Sequence, residues 1–137
     1  MRAVLDPNVI ISALLSPKGS PARLIDAWQQ GRFELVVSSA LLTELERALA
    51  YPKLRKRIEA DEAARVLTWL AGSARLAEDP DDLPPVRSPD PGDDYLIALA
   101  HGEGAALVSG DDHLLQLDGS LPVFPPAEFL KLLEGEA

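Results

Sequence analysis

The sequence contains no cysteine. That absence excludes a disulfide framework, a thiolate zinc site and a cysteine nucleophile, and it suits a reducing, cytoplasmic setting. No apolar stretch reaches the length of about 18 residues that a membrane-spanning helix needs. The first apolar run, residues 3–5, meets Asp6 at once and leaves no room for a signal-peptide core, so the expectation is a cytoplasmic protein. Basic charge is also scarce. Thirteen Lys and Arg face 22 Asp and Glu, a formal net charge of −9, which argues against gripping a phosphate backbone by global attraction.

What is present fits one domain spanning residues 1–137, with 47% hydrophobic residues, no internal repeat and no linker. Part of the acid excess sits in residues 78–94, which hold Glu78, Asp79, Asp81, Asp82, Asp90, Asp93 and Asp94. Lys53, Arg55, Lys56 and Arg57 form a compact basic cluster. It reads either as a patch for RNA phosphate or an acidic partner, or as a solvated helix face.

Arg2 to Leu5 reads as a strand, and the helical apolar pattern over residues 9–15 follows a turn. Ser20 is expected to cap, and Pro21 to open, a helix to Gln30 that Gly31 closes; residues 34–37 are strand-like. Ser38 or Ser39 should cap a helix to Ala50, ended by Tyr51-Pro52, and further helix reaches Gly72 with Asp61 as a candidate cap. Residues 74–77 are a weak strand, residues 79–91 a proline- and acid-rich loop, 92–102 a helix and 105–108 a buried-type strand. Val123-Phe124 and a helix over 125–133 complete an α/β pattern, a mainly parallel sheet covered on both faces.

In such sheets ligands bind outside the carboxyl ends of the strands. Asp6 ends the first strand, and Asp111 follows the 105–108 strand through Ser109 and Gly110. Either could equally be a helix cap or an Asx turn. Glu44 shares the i, i+3, i+7 stripe of Leu41 and Ala48, and a carboxylate turned toward a core is costly unless paired or metal-bound. Asp94 stands one turn before Ile97 on an apolar helix, where it also suits the helix dipole. Acids gathered at one sheet edge repel one another and are tolerated chiefly when cations neutralise them. Oxygen-only ligands favour Mg²⁺ or Mn²⁺, and phosphodiester hydrolysis is the chemistry such ions serve.

These residues resemble the PIN domain family, in particular its small prokaryotic branch related to the VapC toxins of toxin–antitoxin systems. Val4-Leu5-Asp6-Pro7-Asn8-Val9 looks like the branch's opening strand and Asp-x-Asn turn; residues 38–45, with Glu44, are similar to its second acidic motif. Asp90-Pro91-Gly92-Asp93-Asp94-Tyr95-Leu96-Ile97-Ala98 resembles the third motif, and Leu107-Val108-Ser109-Gly110-Asp111-Asp112-His113 the fourth. The resemblance covers nearly the whole chain. It departs from the pattern at Pro7, where a hydroxyl residue is common, and at His113, where another acid often stands.

The resemblance implies a three-layer α/β/α fold, Mg²⁺- or Mn²⁺-dependent cleavage of single-stranded RNA, a cognate antitoxin and frequent homodimers. Asp6 and Asp94 are then expected to hold the metal, Glu44 to share it or orient the attacking water, and Asp111 to complete the set. Asn8 and Ser109 would support these ligands through hydrogen bonds, with Asp90 and Asp93 either auxiliary or serving loop solvation and helix capping. His101 and His113 read as surface or helix-end residues, and Trp28 and Trp69 as core. A haloacid-dehalogenase-like phosphatase would need a second Asp where Asn8 stands, and a receiver domain an acidic pair after the first strand. A PIN fold that binds RNA or a partner without cutting it is the remaining alternative.

Overall fold

Strand β1 (Arg2–Leu5) is buried at Ala3, Val4 and Leu5, the unbroken apolar run of a strand covered on both faces. The computed structural model describes residues 1–81, 91–117 and 122–135. After β1 come α1 (Pro7–Leu15), α2 (Ser20–Gln29), β2 (Glu34–Ser38), α3 (Ser39–Leu49), α4 (Pro52–Arg55), α5 (Ala60–Ser73) and β3 (Arg75–Ala77). A 3₁₀ turn (Pro91–Asp93) leads into α6 (Asp94–Gly102), followed by β4 (Ala106–Val108), α7 (Asp112–Leu115), β5 (Val123–Phe124) and α8 (Pro126–Gly135).

Among the described residues all four strand pairings are parallel, in the order β3-β2-β1-β4-β5. Ala3 aligns with Leu35 on one side and with Ala106 on the other. The chain therefore builds outward from β1 to one edge, then crosses back to build toward the other. Right-handed crossovers place the helices of the two directions on opposite faces, giving a three-layer α/β/α fold. The reversal leaves a crevice between the carboxyl ends of β1 and β4, where ligands bind in sheets of this kind.

The core is aliphatic, with Leu5, Leu35, Leu41, Leu45, Leu49, Ile97 and Leu99 fully enclosed. Phe129 of α8 closes one end, its ring 5.5 Å from Phe33 and 5.9 Å from Phe124. Trp28 and Trp69 are half-buried against this core and packed on each other at 5.0 Å, as expected of core residues. Two helices hand the chain to the next strand through the same device. Gly31 (φ 76°) and Gly104 (φ 61°) take the left-handed conformation after α2 and α6, and the amides that follow, Arg32 and Ala105, bond back to Ala27 and Ala100.

Two cap expectations shift. Gly19, not Ser20, precedes α2, because Pro21 is accommodated within its first turn with Ser20 already helical. Glu59, not Asp61, stands at the start of α5; Asp61 lies in the first turn, where it favours the helix dipole instead. The weak strand at 74–77 is real but short, pairing with β2 from Val36 to Ser38.

Candidate active site

The main chain fixes Asp6 before its side chain does anything. Its N–H donates to the Val108 carbonyl at 2.9 Å, tying the end of β1 to the end of β4. As the N-cap of α1, its Oδ1 accepts from the Asn8 amide at 3.0 Å. The other oxygen, Oδ2, accepts from the Ser109 hydroxyl at 2.8 Å. Pro7, at the first helical position, is buried and preset for that role, so the departure from a hydroxyl there serves the helix start.

Ser109 is fully buried, and its Oγ also accepts from the Asp111 amide at 3.0 Å. One hydroxyl thus joins Asp6 to the turn that carries Asp111 across the crevice. Asp111 caps α7, with Oδ1 accepting from the His113 amide at 2.8 Å. Capping is therefore correct for both aspartates. Only 6% of Asp6 is exposed, and burial is the largest influence lifting its pKa above the ordinary carboxylate value. The Asn8 and Ser109 hydrogen bonds pull the other way, while the charges of Asp111 and Glu44 add to the rise. Asp6 is a carboxylate held in place by donors yet crowded by like charge.

Glu44 is supplied by α3, whose enclosed stripe is Leu41, Leu45 and Leu49. Glu44 and Ala48 border that stripe and line a cleft of about 80 Å³ with Asp6, Asn8, Asp93 and Tyr95. The Glu44 Oε2 pairs with Arg47 Nη1 at 3.1 Å, one turn along the same helix. Asp94, buried, opens α6, and Asp93 stands at its N-cap position. Asp111 lines an adjoining cleft of about 370 Å³ with Asn8, Ser12 and Gly110, so Asn8 is common to both hollows. Asp90 lies outside the described residues.

Among the described residues no three Asp, Glu or His side chains stand close enough together to enclose an ion. Glu44 is turned onto Arg47. The donor chemistry nonetheless fits a hard divalent cation. Every candidate ligand is a carboxylate oxygen, and the charge on Asp6 is disfavoured by burial and by two acidic neighbours, a penalty that a cation relieves.

The basic cluster does not converge on this cleft. Lys53, Lys56 and Arg57 are exposed and Arg55 half-buried on α4 and the turn after it. Arg57 donates to the Leu15 carbonyl at 3.4 Å, at the opposite end of α1 from Asp6. Nine residues of helix, about 14 Å, separate the two ends. His101 and His113 are exposed. An apolar groove of about 220 Å³ beside Ile10, Leu14, Ile25, Val66 and Trp69 contains only Asp26 as a titratable group and brings no reactive side chains together.

Two residues of the site carry little sequence signal. Asp79, just beyond β3, accepts from the Ala40 amide at 2.9 Å and so helps Ser38 cap α3. Tyr95 follows Asp94 and lines the 80 Å³ cleft. Its pKa is pushed well up, by burial first and then by the charges of Glu44, Asp6, Asp93 and Asp79. The position of Tyr95 beside the third acidic motif was the one clue to it.

Residues 2–113 match the sequence profile of the PIN domain, a span that contains Asp6, Glu44, Asp94 and Asp111. The chain belongs to the PIN domain family. This PIN domain is 27% identical over 118 residues to an uncharacterised protein of Methanocaldococcus jannaschii, covering 85% of this chain and 75% of the other. Its fold is similar to that of a Pyrobaculum aerophilum protein, with a TM-score of 0.65, 19% identity, and coverage of 98% of this chain and 90% of that one. VapBC2 of Rickettsia felis, solved on a DNA fragment from its promoter, gives 0.60 at 13% identity, covering 90% and 97%. FitAcB of Neisseria gonorrhoeae gives 0.59 at 18% identity, covering 91% and 98%. At these identities the solved structures speak to the fold of this PIN domain alone. No described helix of the PIN domain is long and apolar enough to cross a membrane.

Proposed function

We propose that this PIN domain is a divalent-cation-dependent endoribonuclease that hydrolyses single-stranded RNA, as the toxin of a toxin–antitoxin pair. The observation that carries the reading is Asp6: a buried carboxylate at the crevice between β1 and β4, hydrogen-bonded in place while Asp111 and Glu44 press their charge upon it. A fold keeps like charges together at such a position when a cation is to be held there. Asp6 and Asp94 would be the principal ligands of Mg²⁺ or Mn²⁺, with Glu44 and Asp111 completing the set. Bound there, the cation supplies the positive charge that polarises a phosphodiester.

The chain's own groups do the rest. Asn8 and Ser109 fix both oxygens of Asp6, so the carboxylate is oriented before any ligand arrives. Glu44, once released from Arg47, orients the attacking water, which displaces the leaving oxygen at phosphorus. Lys53, Arg55, Lys56 and Arg57, one α1 length away, meet flanking phosphates rather than the reacting one. An antitoxin would oppose this chemistry by placing a basic side chain among the same carboxylates. VapBC2 and FitAcB, which share the fold, lend support to such a partner. A homodimer is part of the same proposal.

The Glu44–Arg47 pair and the absence of a converged three-ligand group among the described residues favour a second reading, a module that binds RNA or protein without cutting. Incubating the protein with labelled single-stranded RNA in Mn²⁺, Mg²⁺ or EDTA separates the two. Cleavage should appear with either metal, vanish in EDTA, and be lost in Asp6→Asn and Asp94→Asn although both variants stay folded. Full cleavage by either variant would overturn the assignment of the site, and RNA binding without cleavage would establish the second reading.

A further inference from the structure

Of the chain's aromatic residues, Trp28, Phe33, Trp69, Tyr95, Phe124 and Phe129 lie in the core or pack against it, and Tyr51 alone does not. It is 60% exposed and leads from α3 into α4, its amide still bonded to the Ala48 carbonyl at 3.2 Å. A residue ahead of a proline needs an extended backbone, which Tyr51 has (φ −62°, ψ 137°), but it needs no aromatic ring. Residues 51–58 hold Lys53, Arg55, Lys56 and Arg57 and no acid. None of the four cations is in an ion pair among the described residues. Glu44, Ala48 and Tyr51 are spaced i, i+4, i+7, so they share one face of α3 and its end. The first two line the cleft with Asp6. Two helical turns, about 10 Å, carry that face from Glu44 to Tyr51, with Arg47 between them.

We propose that Tyr51 is a stacking platform for an unpaired base of a single-stranded RNA, on the path that leaves the carboxylate cleft along α3 and reaches Lys53 and Lys56. Single exposed apolar residues are ordinary at protein surfaces. This one stands at the head of the basic cluster, on the face that leads to the cleft. An exposed ring beside unpaired cations is the combination that holds single strands, since bases of any sequence stack on the ring while the cations follow the phosphates. A purely acidic protein surface satisfies the cations and leaves the ring in water; a single strand satisfies both. The inference rests on the reading of the chain as an RNA-binding nuclease and adds a base contact outside the metal cleft.

The probes are a labelled adenine-rich single-stranded RNA and its abasic counterpart, bound to the full chain at low ionic strength in EDTA, where ring and cations act without a metal. Tyr51→Ala should weaken the RNA roughly 5- to 10-fold, whereas Tyr51→Phe, which keeps a ring, should not. Neither should change affinity for the abasic strand or the thermal midpoint, because the residue is exposed. Lys53→Gln should lower the slope of log affinity against log salt by about 0.7, a change Tyr51→Ala should not make. In Mn²⁺, Tyr51→Ala should lower kcat/KM by the same factor as binding, mainly through KM. Equal affinity of wild type and Tyr51→Ala for the RNA overturns the proposal, as does an equal loss on the abasic strand or an unmoved salt slope in Lys53→Gln. Poly-glutamate bound in preference to RNA also overturns it and gives the patch to an acidic protein. Wild-type protein that binds RNA in EDTA without cutting it in Mn²⁺ defeats the nuclease reading, while the Tyr51 comparison still decides this one. Wild-type protein that cuts RNA in Mn²⁺ but binds none in EDTA defeats this inference alone, and protein that does neither defeats both.

Discussion

Asp6→Asn should make the metal-free protein more stable while removing its activity. The exchange is nearly isosteric and keeps the cap of α1, but it reverses the bond to Ser109, whose buried hydroxyl proton loses its acceptor, a loss that offsets part of the gain. The Asn carbonyl can still accept from the Asn8 amide at the start of α1, and the amide nitrogen can donate to Ser109 Oγ, which already accepts from Asp111. What disappears is a buried charge crowded by Asp111 and Glu44. Relieving a functional site of such a group is worth on the order of 1 kcal/mol, which for a chain of this size raises the thermal midpoint by about 3 °C. The pH dependence has a definite sign. The folded-state pKa of Asp6 is raised, so wild-type stability falls as pH climbs through the interval between the ordinary carboxylate value of 3.8 and that raised value. The advantage of Asp6→Asn is therefore full at neutral pH and closes as the solution is acidified toward the ordinary value. Saturating Mn²⁺ should reverse the ranking, since a ligand at 100 times its dissociation constant adds about 2.7 kcal/mol to the protein that binds it. Thermal melts of both proteins at neutral and acidic pH, in EDTA and in Mn²⁺, read all of this. A variant less stable than wild type in EDTA would mean that Asp6 is a structural cap whose charge the fold needs. An equal Mn²⁺ shift in both proteins would place the ion elsewhere.

Two further substitutions examine the supports of the site. Ser109→Ala removes a buried donor to a carboxylate, expected to cost about 1.5 to 3 kcal/mol in urea unfolding, and the lost bond should move the acid limb of the pH–rate profile to higher pH because Asp6 loses a group that lowers its pKa. An unmoved acid limb would disconnect Ser109 from Asp6. Arg47→Ala breaks an exposed i, i+3 pair, so stability should change by less than about 1 kcal/mol. Mn²⁺ affinity measured by calorimetry should rise, because Glu44 no longer has a competing cation; a fall would show that Arg47 supports the site.

Much of the fold was legible because its signals are local. The apolar run of β1, the Ser38 cap of α3 and the glycine after α2 act within a few residues, and each appears where the pattern put it. The caps of α2 and α5 slipped by a position or two, since several neighbouring polar residues could each begin a helix. The four acids Asp6, Glu44, Asp94 and Asp111 stood out one by one for the same local reasons: strand ends, a helix stripe and a first turn. Tyr95 and Asp79 did not, because a charged neighbour or a hydrogen-bond partner far along the chain leaves no periodicity in it.

The sequence by itself determined which carboxylates were candidates, that strands and helices alternate, and that thiol chemistry is absent. Only the tertiary structure decided that β4 lies beside β1, and with it that Ser109 reaches Asp6 across 103 positions of chain. The charge cost on Asp6, the turning of Glu44 onto Arg47 and the distance of the basic cluster from the cleft follow from that packing. The physical reason is range: caps and periodicities are set by neighbours along the chain, whereas desolvation and Coulomb repulsion depend on what folding brings near in space.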